Sequence, residues 1–123
     1  YRITDLFLDT FPYNAGTTAS DSLWMGVPVL TLAGETFSSR MAASLLTAID
    51  MPELITDNRT QFENRAIEIA QNRALLSELK SKLKEKRGNS RLFDAPKFIQ
   101  SLESSYLAMY ERSLNNLDPT NLG

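Results

Sequence analysis

The chain has 123 residues, of which 42% are apolar and 23% charged, with a formal net charge of −2 and no cysteine or histidine. These numbers describe one ordinary globular domain with a real core. They exclude disulfides, a zinc site of thiolate or imidazole ligands, a cysteine nucleophile and a histidine base within these residues. The charge balance favours neither nucleic acid nor an anionic membrane. No run approaches the roughly 20 apolar residues that span a bilayer, and no signal peptide is visible. A cytoplasmic location is therefore expected. The chain opens at Tyr1, just before a strand, and reads as a segment of a longer protein.

Ile3 to Asp9 reads as a buried strand carrying Ile3, Leu6, Phe7 and Leu8, closed by Asp9-Thr10 and Pro12. Phe11 to Gly16 is a loop. Thr17 or Thr18 is the expected N-cap of a helix running to Met25, with Gly26 as its stop and Pro28 two residues on. Val27 to Leu32 is the next strand. Strand, helix and strand in so few residues make a βαβ unit, hence parallel pairing and a right-handed crossover.

After the loop at Ala33-Gly34-Glu35-Thr36, a second helix is predicted from about Ser38 to Ile49, with Met41, Ala42, Leu45, Leu46 and Ile49 inward. Glu53 to Thr56 makes a short third strand. A third helix follows over Arg59 to Gln71, with Phe62, Ala66, Ile69 and Ala70 inward. A fourth covers about Ala74 to Arg87, striped by Leu75, Leu76, Leu79 and Leu83. Asp94-Ala95-Pro96 begins a last helix, lined by Phe98, Leu102, Tyr106 and Met109. The fold class is therefore α/β: residues 1–56 form a βαβαβ half of a doubly wound, nucleotide-binding domain, 57–115 its C-terminal helices, and 116–123 a frayed polar tail. An excised half-sheet leaves a strand edge and an apolar face uncovered, so self-association is expected.

Ligands in such folds bind at the carboxyl ends of the strands. Phe11–Gly16 and Ala33–Phe37 both lie at that end. Gly16-Thr17-Thr18 either cradles a phosphate with its backbone N–H groups or simply begins a helix that binds nothing. It is neither a Walker loop nor a dinucleotide fingerprint. Asp21 either accepts hydrogen bonds from ribose hydroxyls or serves as a first-turn acid in a capping-box arrangement. Asn14 and Glu35 stand as candidate rim residues. Glu35 either meets sugar hydroxyls or caps the next helix. Arg40 either pairs with Glu35 or meets an anionic group, and the structural role is favoured, because arginine at a helix start calls for a carboxylate partner. Trp24 is assigned to the core. Lys80, Lys82, Lys84, Lys86 and Arg87 are read as a solvated face, and Tyr106 and Tyr110 as packing residues.

Phe7-Leu8-Asp9-Thr10, Asn14, Thr17-Thr18, Asp21, Leu23-Trp24-Met25-Gly26-Val27-Pro28, Gly34-Glu35-Thr36 and Ser39-Arg40-Met41-Ala42-Ala43-Ser44 together closely resemble the O-linked N-acetylglucosamine transferase family, in a bacterial-type form. Members often carry tetratricopeptide repeats ahead of the catalytic region. The resemblance implies a GT-B glycosyltransferase of two Rossmann-like domains. This chain would be the C-terminal part of the second, donor-binding domain. Thr17 and Thr18 would then contact the diphosphate of a UDP-sugar and Asp21 its ribose. Gly16 stands where animal members have a histidine. The acceptor domain, a lysine near the diphosphate and the uracil-contacting residues would lie upstream, so no catalytic residue is assigned here and the segment alone should be inactive. Transfer to a protein side chain would be inverting and independent of any metal or other cofactor. The alternatives are a nucleotide-sugar-binding module without turnover and a protein-interaction domain.

Overall fold

A computed structural model describes residues 3–121. Its elements run β1 (Phe7–Leu8), α1 (Thr17–Trp24), β2 (Val29–Leu32), a 3-10 turn (Ser38–Arg40), α2 (Met41–Ala48), a second 3-10 turn (Pro52–Leu54), β3 (Ile55–Thr56), α3 (Arg59–Gln71), α4 (Arg73–Arg87) and α5 (Ala95–Leu114). One compact unit runs as far as Phe93 and a second begins at Asp94.

The first unit is built on a parallel sheet of order β1-β2-β3. Phe7 and Leu8 lie opposite Val29 and Leu30, and Thr31 and Leu32 lie opposite Ile55 and Thr56. All four residues of β2 are buried, as a central parallel strand covered on both faces requires. This register explains a shorter first strand than the sequence suggests. In this parallel register the residues before Phe7 fall opposite Val27 and Pro28, which precede β2, so the pairing ends at Phe7, and Ile3 is 98% exposed. α2 and α3 pack on β2, and α4 packs on α1 and α3. Leu23, Leu30, Leu46, Ile49, Met51, Leu54, Ile69 and Leu83 fill the core between them.

The helix ends are set by backbone chemistry. Gly26 has φ +83°, and its N–H and that of Val27 turn back to the carbonyls of Leu23 and Ser22. This Schellman closure is natural to glycine. α2 closes the same way through Asp50 at φ 60°, with the Asp50 and Met51 N–H groups donating to Thr47 and Leu46. Asn58 and Asn72 cap α3 and α4 by accepting from the N–H groups of Gln61 and Leu75.

Three further expectations are corrected. Ala70 is exposed rather than inward. Trp24 is 55% exposed, with its ring edge-on to Phe93 at 5.0 Å and the Arg87 guanidinium 5.8 Å over it, so it is a bracketed surface ring rather than a core residue. The lysines of α4 are more than a solvated face, because Lys80, Lys82 and Lys86 pair with Asp5, Glu53 and Asp50. Those carboxylates precede β1 and β3, so the pairs lie at the amino ends of the strands.

In the second unit, Asp94 accepts from the Lys97 N–H and caps α5. The expected stripe of Phe98, Leu102, Tyr106 and Met109 is exposed, as is Tyr110. Tyr106 and Tyr110 are thus not packing residues. Of the tail at 116–123, residues 122 and 123 fall outside the described chain, as does the start of the 1–56 segment at residues 1 and 2. Among the described residues no helix is long and apolar enough to cross a membrane.

Two predictions follow from this packing. A Cβ added at Gly34 would lie 2.5 Å from the Ser39 hydroxyl oxygen and 2.8 Å from Ser39 Cβ. Ser39 is buried and bonded in place, so Gly34→Ala should cost about 1–3 kcal/mol of stability, read by chemical denaturation. The second concerns pH. The hydrogen bonds and charges of Lys80 and Lys86 hold Asp5 and Asp50 below the usual carboxylate range. A lowered carboxyl adds stability that is present above its unfolded value and is lost as pH falls through its folded value. Thermal midpoints should therefore fall modestly on strong acidification. Asp5→Asn with Asp50→Asn should flatten that acid limb, and high salt should shrink it.

Candidate functional site

Two loops leave the carboxyl ends of β1 and β2. The first is organised by Asp9 and Asn14. Asp9 is buried: its Oδ1 accepts the N–H groups of Thr10 and Ala15, both at 2.8 Å, and its Oδ2 accepts the Thr31 hydroxyl at 2.6 Å. Asn14, expected on the rim, is 1% exposed and lies beneath it. Its side-chain amide donates to the Thr10 carbonyl at 2.9 Å and to the Leu32 carbonyl at 3.5 Å. Its backbone N–H donates to the Ser38 carbonyl at 3.1 Å, which ties the two loops together. Its Oδ1 is buried without a partner.

The first loop delivers the chain into α1. Thr17 is the first helical residue, so neither threonine is the cap. That place belongs to Gly16, which has no side chain to bond the helix start. The Gly16 carbonyl accepts the Ser20 N–H at 3.0 Å. The N–H groups of Thr17, Thr18 and Ala19 precede this first bond, and among the described residues no acceptor meets them. Unpaired amides at a helix start carry about half a positive charge and suit an anion. Thr17 and Thr18 are exposed, so the turn is open at these two residues, while Ala19 is fully buried. Asp21 is exposed as well. It is the fifth residue of α1, past the position of a capping box, and its side chain is free to meet a ligand.

Gly16 itself is not demanded by sterics. Its φ is −96°, and an added Cβ would sit 3.6 Å from Met41 Cγ, an ordinary contact. That contact also places the start of α2 beside the start of α1.

The second loop is organised by Ser39 rather than by Glu35. The Ser39 hydroxyl accepts the Thr36 N–H at 3.0 Å and lies 3.1 Å from the Thr36 carbonyl. The Gly34 N–H donates to the Ser39 carbonyl at 2.9 Å. With the turn closed in this way, Glu35 and Arg40 both stay exposed and form no ion pair with each other. Arg40 therefore lacks the carboxylate partner expected of it.

A small cleft of about 230 Å³ opens at the same strand ends, lined by Asp9, Phe11, Leu32, Arg59, Phe62 and Glu63. A larger one, about 900 Å³, lies between the last turn of α2 and the end of α4, at the amino ends of the strands. The larger volume is thus remote from the rim. Asp9, Thr31 and Ser39 escaped the sequence reading as site-forming residues. The available signal was chemical: a threonine inside the fully apolar Val29–Leu32 run must find a hydroxyl partner, and an acidic residue closing the neighbouring strand can supply one.

With this geometry established, likeness to known proteins becomes informative. The description of glycosyl transferase family 41 matches residues 1–102. The chain is 38% identical over 112 residues to a probable UDP-N-acetylglucosamine–peptide N-acetylglucosaminyltransferase SPINDLY of Eustoma exaltatum subsp. russellianum, covering 91% of this chain and 12% of that protein. It is 33% identical over 118 residues to the probable SEC enzyme of the same description from Arabidopsis thaliana, covering 95% of this chain and again 12% of the relative. Among solved structures, a lysine-to-methionine mutant of the Thermobaculum terrenum O-GlcNAc transferase superposes with a TM-score of 0.85 at 30% identity, over 91% of this chain and 22% of that one. The chain thus spans about an eighth of the length of these plant relatives. The parallel α/β architecture is that of the C-terminal part of a GT-B donor-binding domain. On the match across 1–102, the chain belongs to glycosyl transferase family 41.

Proposed function

We propose that the chain is the donor-binding part of a protein glycosyltransferase, holding UDP-N-acetylglucosamine while the sugar passes to a protein side chain. The observation that carries this is the open helix start: the N–H groups of Thr17 and Thr18 have no acceptor among the described residues, and both residues are exposed. Relatives named for transfer from that donor to peptides support the substrate class.

Thr17 and Thr18 receive the diphosphate through their amides and hydroxyls. Gly16 leaves that approach clear, and Asp21 accepts from the ribose. Glu35 and Arg40, both unpaired, flank the sugar-side rim; Asn14 supports it from below. The departing UDP carries growing negative charge, and preorganised N–H donors at a helix terminus stabilise it without a metal ion or other cofactor. The chain supplies neither a general base for the acceptor nor its binding surface, so it turns nothing over alone. The protein works in the cytoplasm, and the isolated chain self-associates through its uncovered β1 edge and exposed apolar side chains.

Calorimetric titration of UDP into the chain checks the donor site. Binding should be measurable, and Thr18→Val and Asp21→Ala should each weaken it about tenfold, the worth of one hydrogen bond at a charged ligand. Absence of binding would instead favour an interaction domain that has kept the fold. No transfer or hydrolysis of UDP-N-acetylglucosamine is expected from the chain by itself. Sedimentation should show concentration-dependent association, and a clean monomer at high concentration would contradict it.

A further inference from the structure

We infer that Asp9 is the positioning residue of the donor site, acting through a hydrogen-bond relay that crosses the sheet and ends at the turn before α1. This inference rests on the donor-site proposal above.

The relay starts on β3. The Thr56 hydroxyl donates to the Thr31 carbonyl at 2.8 Å, and the Thr31 hydroxyl donates to Asp9 Oδ2 at 2.6 Å. Asp9 Oδ1 then takes the Thr10 and Ala15 N–H groups. Each link is needed by its neighbour. Thr31 is fully buried in the central strand, where a hydroxyl without a partner is costly. Asp9 is 9% exposed, and a carboxylate so placed requires several donors. Its three donors come from β2 and from both ends of the Thr10–Ala15 loop. One side chain thereby fixes the loop at its start and its finish.

The consequence reaches α1 by chain geometry. Ala15 lies two residues before Thr17. With its N–H held by Asp9, the amides without an acceptor among the described residues are those of Gly16, Thr17, Thr18 and Ala19, and the direction in which they point is set by the sheet beneath. Asn14 reinforces the same loop from the other side through Thr10, Leu32 and Ser38. The carboxylate thus works by taking two amides out of competition and aiming those at the start of α1. Asp9 need not touch the diphosphate.

Position and charge make different demands on the substitution. Asp9→Asn keeps an oxygen for both amides, and its NH2 can donate to the Thr31 hydroxyl, which accepts as readily as it donates. Asp9→Ala removes every link, and Thr31→Val removes only the donor to Oδ2 while keeping the strand's volume. The experiment measures two quantities on the 123-residue chain and these variants: amide shifts and hydrogen exchange at Ala15 and Thr17–Ala19 without ligand, and UDP affinity of the folded protein.

Asp9→Ala should speed exchange at Ala15, shift the Thr17–Ala19 amides and weaken UDP binding at least tenfold, with Asp9→Asn close to wild type. Thr31→Val should show the same changes at several-fold strength, and it carries the test if Asp9→Ala does not fold. Unchanged amides at Ala15 and Thr17–Ala19 in Thr31→Val and Asp9→Ala overturn the inference, as does wild-type UDP affinity in folded Asp9→Ala. Loss of binding in Asp9→Asn with undisturbed amides also overturns it, in favour of a role for the charge. If wild type itself fails to bind UDP, the donor-site proposal falls, while the ligand-free amide data still decide whether Asp9 sets the turn.

Discussion

The proposed function depends on the backbone N–H groups at the start of α1, which have no acceptor among the described residues. Most helix starts are closed by a side chain from the cap residue. Here the cap is Gly16, which has none, and the loop before it spends its own hydrogen bonds elsewhere. Unpaired amides buried away from water are costly, but Thr17 and Thr18 are exposed, where water or an anion can complete their amides, while Ala19 is fully buried.

The rest of the first unit serves to hold that turn still. The central strand β2 is buried throughout and ties β1 to β3. Thr31 and Asp9 carry that rigidity upward to the loop, and Asn14 binds the loop to the neighbouring one. The α4 lysines do a different task at the other end of the sheet. Their pairing with Asp5, Asp50 and Glu53 places those lysines at the amino ends of the strands, away from the rim. The anion site proposed at the rim therefore rests on the amides at α1 and on Arg40, which makes no ion pair among the described residues, and not on the lysine-rich helix.

Much of this was legible in the sequence, and the reasons are specific. The order of elements followed from apolar periodicity and from punctuation at Gly26 and Pro28. The start of α3 followed from the cap candidates at Thr56-Asp57-Asn58, of which Asn58 takes the place, because capping chemistry is local. What failed was non-local. The length of β1 depends on where β2 begins in their shared register, which no property of Ile3 reveals. Trp24 reads as core by type, yet it lies on the surface between Arg87 and Phe93, which are far off in sequence. Arg40 was expected to find a carboxylate, but Ser39 had already closed the turn and left Glu35 without that task. Asp9 was quoted only as part of a pattern, since its role appears only when β1 and β2 lie side by side.

The central claim is that the start of α1, at the amides of Thr17 and Thr18, receives the diphosphate. The most direct measurement is an amide-resolved nuclear magnetic resonance titration of the chain with UDP and, separately, with inorganic pyrophosphate. Both ligands should move the Thr17, Thr18 and Ala19 amides most, and pyrophosphate should leave the cleft between α2 and α4 unmoved. Shifts concentrated at that cleft, or saturation by UDP with these three amides unmoved, would contradict the account.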